Sequence, residues 1–216
     1  MKAKAHTRYK LPDGKRCPGV TTITGMLGWN KQILVNWANK KGLEGIDTAK
    51  FVDDKAEIGT LGHKMVTDSL LGQKTDTDDY SKNQIILATN SADSFFNWAK
   101  GKKIEPILIE KQLVSEEFGY GGTPDIFAKV DGVNELIDIK TGAGIYDEMV
   151  IQVVAYEWLI EENNELLPVD KVRILNIPRT KGESFIEREV SREMGNAAWE
   201  VFLHCLGIYK LRKELK

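Results

Sequence analysis

The chain has 216 residues, 42% of them hydrophobic and 29% charged, so it can bury about 70% of its extended surface without disulfide staples. Thirty basic against 32 acidic residues leave a net charge of −2, which excludes a protein held on nucleic acid by overall charge and leaves a local groove or a bound metal as the route to such a partner. No apolar run approaches the roughly 18 residues of a membrane span, residues 1–6 lack the apolar stretch of a signal peptide, and Cys17 and Cys205 are too few for a disulfide framework, so a cytoplasmic protein with no membrane partner is expected.

In chain order, residues 6–20 read as a hairpin around Pro12-Asp13-Gly14. A threonine of Val20-Thr21-Thr22-Ile23 is the expected N-cap of a short helix ending near Gly28. Residues 31–41 read as a helix with Ile33, Leu34 and Trp37 on one side. A longer helix is predicted over 47–71, broken or kinked near Gly59 and Gly62, and another over 81–100. The texture then changes to strands at 104–114, 122–130 and 133–140, the last two joined by Asp131-Gly132, a strong hairpin signal. A helix at 147–163, strands at 170–177 and 184–190, and a helix at 192–214 with a cationic end (Lys210, Arg212, Lys213, Lys216) complete the pattern. This order predicts an α/β fold: a mixed central sheet flanked by helices, with a helical N-terminal third. The whole of 1–216 is expected to form one domain. It divides into a hairpin and helical layer (1–103), a sheet core (104–190) and a C-terminal helix (191–216).

The Asp131-Gly132 turn makes a geometric prediction. If Val130 pairs with Val133, then Asp125 lies directly opposite Asp138, about 4.5–5.5 Å away at Cα and on the same face. Lys140, two residues on, shares that face. Opposed carboxylates repel, and two arrangements offset this: Lys140 with solvent, or a hard divalent cation such as Mg²⁺ or Mn²⁺. Spacing alone leaves both open.

Gly122-Thr123-Pro124-Asp125, followed after twelve residues by Asp138-Ile139-Lys140-Thr141, resembles the PD-(D/E)XK nuclease superfamily. Gln152 and Tyr156 stand where its RecB-like branch carries a Gln…Tyr pair. Gly59-Thr60-Leu61-Gly62-His63 resembles that branch's first motif, and Pro18–Ile23 resembles the start of its phage-encoded and mitochondrial-genome-maintenance exonucleases. The resemblance covers most of residues 18–160.

It implies a restriction-endonuclease-like core and a Mg²⁺- or Mn²⁺-dependent DNA nuclease. The activity implied is that of an exonuclease in recombination or replication, in a phage or bacterial cell, with DNA as substrate and a single-strand-annealing or recombination protein as partner. A restriction-type endonuclease and a non-catalytic DNA-binding module are the alternatives. Asp125, Asp138 and the Ile139 carbonyl would hold metal, Lys140 would orient or activate water, and His63 would reach the metal from the helical layer. The bland reading of His63 is a satisfied helix histidine. Gln152, Tyr156 and Thr141 would face DNA. Glu110 is read as solvated, with a second metal as the alternative. Asp138 stands where many relatives carry Glu. The four cysteines that hold an iron–sulfur cluster in some relatives are missing, so no such cluster is expected. Lys40-Lys41, Lys100-Lys102-Lys103 and Arg179-Lys181 are read first as solvated faces and second as phosphate contacts. Trp29 and Trp37 are read as core, with base stacking as the alternative.

Overall fold

The computed structural model describes residues 8–163 and 167–215. The first two residues of the expected hairpin, His6 and Thr7, and the terminal Lys216 lie outside them. The elements are β1 (Tyr9–Lys10), β2 (Arg16–Cys17), α1 (Val20–Thr24), α2 (Lys31–Leu43), α3 (Thr48–Leu70), α4 (Lys82–Ala99), β3 (Ile104–Ile109), β4 (Leu113–Ser115), β5 (Tyr120–Gly122), β6 (Ile126–Val130), β7 (Val133–Lys140), α5 (Asp147–Asn163), β8 (Lys171–Asn176), β9 (Ile186–Val190) and α6 (Arg192–Glu214).

The architecture is mixed α/β. A five-stranded sheet runs β3-β6-β7-β8-β9, with β7 and β8 parallel and the other neighbours antiparallel. The β6–β7 hairpin closes on Asp131 and Gly132, both at positive φ (50° and 93°), as a two-residue turn of matching twist requires. Val130 pairs with Val133 and Ile126 with Ile137, the register expected from the sequence. Alternation then separates two cores. Ile126, Ala128, Ile137 and Ile139 meet Val66 of α3 and Ala92, Phe95 and Trp98 of α4. Phe127, Leu136, Val172 and Ile174 meet α5 and α6 on the opposite face. The helices therefore flank the sheet on both sides, because each strand offers an apolar row to each layer.

Two expected strands are interrupted. The 104–114 segment breaks after Ile109, where Glu110 takes φ 44°, a conformation strands do not hold. The 122–130 segment breaks at Thr123-Pro124-Asp125, because proline has no N–H to give the ladder. The severed ends, β4 and β5, pair as a separate two-stranded sheet.

Three other expectations change. α3 runs unbroken from Thr48 to Leu70. Its two glycines allow close approach instead of a break: a Cβ at Gly59 would lie 2.5 Å from Thr141 Oγ1, and one at Gly62 would lie 3.2 Å from Ser91 Cβ on α4. α1 is capped by Gly19, with no side-chain cap. α2 buries none of its residues, and Trp29 is 53% exposed, so neither Trp29 nor Trp37 is core; Trp37 leans on Phe51 of α3 at 5.9 Å. Among the described residues no helix is long and apolar enough to cross a membrane.

The β5 end is fitted tightly to α5. A Cβ at Gly122 would lie 2.6 Å from the Tyr156 ring and 2.7 Å from Leu159 Cδ1. Replacing Gly122 with alanine is therefore expected to lower stability by about 1–3 kcal/mol, the range for overpacking. Gly144→Ala, with open space around it, serves as the control in urea titrations. Equal midpoints for the two variants would contradict this fit.

Candidate active site

The break at Thr123-Pro124-Asp125 sets the geometry. The ladder of β6 and β7 ends at the Ile126–Ile137 pair. One step further Asp125 faces Asp138 in a non-hydrogen-bonded pair, the kind that brings side chains closest. A second step sets Pro124 opposite Ile139. Proline cannot donate to the Ile139 carbonyl, and the Ile139 N–H goes instead to Asp125 Oδ2 at 2.7 Å. The Asp125 main chain is tied on its other side, its carbonyl accepting from Glu110 N at 3.0 Å. The aspartate is thus held between two strands while its neighbours' ladder is open.

Asp138 is completely buried. Its Oδ2 lies 2.6 Å from Lys140 Nζ, and its Oδ1 has no partner among the described residues. Burial raises its pKa to about 6, against the pull of Lys140, and Asp125 pushes the same way as burial. For Asp125, burial also pushes upward, but His63, Lys140 and the Ile139 N–H outweigh it and hold the carboxyl below its usual range. His63 projects from α3 with Nδ1 3.6 Å from Asp125 Oδ2. Burial lowers its pKa, Asp125 opposes this, and the net direction is upward. Environments that drive two opposed carboxyls apart in pKa cluster at sites of chemistry, and structural ion-pair networks shift pKa values as well.

A cleft of about 780 Å³ opens over this point, and Asp125, Ile139, Lys140, Thr141, His63 and Glu110 reach its wall. Asp138 lies beneath Lys140. Glu110 faces Asp125 across the β3 side, and its carboxyl is raised by burial and by Asp125. Tyr156 of α5 also lines the cleft; Gln152 stands behind it and donates from Nε2 to the Tyr156 hydroxyl at 2.8 Å. Gln152 therefore holds the tyrosine and is not itself on the cleft wall.

The basic clusters are largely paired. Lys41 binds Glu44, Lys103 binds Glu105, Lys102 donates to the Trp98 carbonyl, and Arg179, on the cleft wall, is clamped by Glu183. Sequence reasoning missed Tyr9 and Lys64 on the cleft wall. Tyr9 comes from a segment with no recognisable motif and is 114 positions from its partner Thr123, while Lys64 directly follows the Gly59–His63 segment and pairs with Asp68.

Among the described residues no three His, Cys, Asp or Glu side chains converge as a ready-made metal-ligand group. The donors present are two opposed carboxylates, one of which, Asp138, has its Oδ1 orphaned and buried, and a carbonyl released from its ladder by Pro124. That set suits Mg²⁺ or Mn²⁺, which take one or two carboxylates and keep several waters. It does not suit a soft metal. The Lys140 ammonium occupies the charge-compensating place beside Asp138.

No family model and no curated protein matches the chain. Among solved structures, a crystal structure of a candidate exonuclease from Eubacterium rectale is similar with a TM-score of 0.42 and 13% identity. The match covers 68% of this chain and 64% of that one, less than two thirds of its length.

Asp138 carries a pH prediction for the metal-free protein. Its folded pKa of about 6 exceeds the ordinary 3.8. The folded state therefore holds the extra proton in that window, and the group's stabilising contribution is present below it and lost as pH rises through 6. Asp138→Asn removes this dependence. In chelator the variant should gain stability relative to wild type between pH 5 and pH 7.5, by roughly 1.4 kcal/mol for the one pH unit of the window between pH 5 and the folded pKa, less whatever Lys140 loses with its partner. Denaturant titrations at both pH values check it, and a difference independent of pH would contradict the assignment.

Proposed function

We propose that this chain is a divalent-metal-dependent deoxyribonuclease that hydrolyses phosphodiester bonds, acting from DNA ends as an exonuclease. The supporting observation is the Asp125–Asp138 pair with Lys140 at the open end of β7, set under a cleft. Asp125, Asp138 and the Ile139 carbonyl would hold Mg²⁺ or Mn²⁺, with His63 as a further ligand or as the partner that keeps Asp125 ionised. A bound cation there would neutralise charge on the scissile phosphate and acidify a water. Lys140, released from Asp138, would orient the attacking water and offset the charge that develops on the phosphate oxygens. Tyr156, its ring fixed by Gly122 and its hydroxyl oxygen occupied by Gln152, has its own O–H proton free to donate to a phosphate oxygen. Thr141 lines the same wall. A place in recombination or replication, and a single-strand-annealing or recombination protein as partner, follow from the motif resemblance to phage exonucleases and belong to this proposal by analogy.

The test combines Mn²⁺ calorimetry with digestion of end-labelled linear DNA and closed circular DNA. Wild type should bind Mn²⁺ and digest only the linear substrate. Asp138→Ala should lose the metal site and the activity together. Lys140→Ala should keep the metal and lose about 10²–10⁴ in turnover, the scale of general acid–base and electrostatic contributions. Cutting of the circle at fixed places would replace the exonuclease by an endonuclease. Metal binding unchanged in Asp138→Ala would sink the assignment altogether.

A further inference from the structure

The N-terminal hairpin delivers a side chain to the cleft that no motif accounts for. Tyr9 of β1 packs its ring on bare backbone. A Cβ at Gly121 would lie 2.5 Å from Tyr9 Cγ, and one at Gly19 would lie 2.9 Å from Tyr9 Cε2. The two glycines are themselves joined as an isolated bridge, and Gly121 N donates to the Pro18 carbonyl at 2.9 Å. Only glycine at both places leaves room for the ring, so the chain maintains a seat for this tyrosine. With the ring seated on backbone, the hydroxyl is the part that meets another residue of the cleft wall.

That hydroxyl lies 2.9 Å from Thr123 Oγ1, and both residues line the cleft with Asp125 and Tyr156. Thr123 is the second residue before Asp125, in the segment that interrupts the strand. Two hydroxyls carry two protons, and only one can lie between them. The other has no acceptor among the described residues, so the pair presents one O–H donor to the cleft beside the carboxylates.

We infer that Tyr9 and Thr123 form a substrate-binding hydroxyl pair that donates to a phosphate oxygen of the DNA strand lying against Asp125. This inference rests on the nuclease reading above and adds to it a contact from outside every motif. The carboxylates and Lys140 act on the reacting atoms; the hydroxyl pair holds the strand in place for them.

The experiment measures initial cleavage rates of linear DNA in Mn²⁺ as a function of DNA concentration, with thermal midpoints for each protein. Tyr9→Phe keeps the ring in its seat and removes the hydroxyl. Thr123→Val removes the other hydroxyl at equal volume, and Thr123→Ser restores one. Losing a hydrogen bond to a charged phosphate should raise KM about tenfold or more in Tyr9→Phe and Thr123→Val, with kcat little changed and the midpoints near wild type. Thr123→Ser should stay near wild type, and the Tyr9→Phe/Thr123→Val double variant should be at least as impaired as either single, because each single keeps one hydroxyl that its partner no longer holds and the double keeps none. A wild-type KM in both Tyr9→Phe and Thr123→Val would overturn the inference while leaving the nuclease standing. So would a Thr123→Ser as impaired as Thr123→Val. A wild type that neither cuts nor binds DNA would remove the nuclease reading, and this inference with it.

Discussion

Everything proposed for this site depends on one turn. Asp131 and Gly132 both take positive φ, and a two-residue loop of that kind allows a single register for the strands it joins. That register sets Asp125 against Asp138 and Pro124 against Ile139. A slip of one residue would send Asp138 and Lys140 to the α3–α4 face and bring Ile137 and Ile139 out of their core. The apolar rows on the two faces oppose such a slip, since Ile137 and Ile139 are fully buried on one side and Leu136 on the other. The same side chains that hold the sheet between its helices thus hold the carboxylates together.

The arrangement is costly where it is chemically useful. Asp138 is buried beside a second carboxylate, with one oxygen unpartnered. An unsatisfied buried polar atom costs about 1–3 kcal/mol, more when charged. Lys140 offsets part of this, and a divalent cation would offset more. Asp125 shows the converse economy. Its carboxylate takes the Ile139 N–H that a ladder residue would have taken, so the strand break that opens the site also anchors its second acid. Proline at 124 serves both ends, by ending the ladder and by leaving the Ile139 carbonyl free.

Features set by local pattern were legible in the sequence. The helices at Asp147–Asn163 and Arg192–Glu214 match the expected spans, because the signals that set them, a long apolar run in the first and the Ser191 cap in the second, are local. The hairpin register followed from one dipeptide. The break at Glu110 was not legible, since the apolar β-rich run 104–114 carries no sign that Glu110 will turn to φ 44°, whereas Pro124 inside the run 122–130 was a legible sign of the other break. Gly59 and Gly62 suggested a broken helix because propensity cannot show that Thr141 and Ser91 will come close from elsewhere in the chain. Trp37 was read as core, but α2 buries none of its residues, and Ile33, Leu34 and Val35 beside it stay exposed. Tyr9 was invisible because its seat is built from Gly19 and Gly121, and only the fold brings those together.

The central claim is that Asp125 and Asp138 form a cation site. Its most direct measurement is diffraction from crystals soaked in Mn²⁺, collected so that manganese scatters anomalously. The account predicts a peak ligated by both carboxylates and the Ile139 carbonyl, with Lys140 Nζ displaced from Asp138. Manganese bound elsewhere, or a Lys140–Asp138 contact unchanged at saturating Mn²⁺, would contradict it.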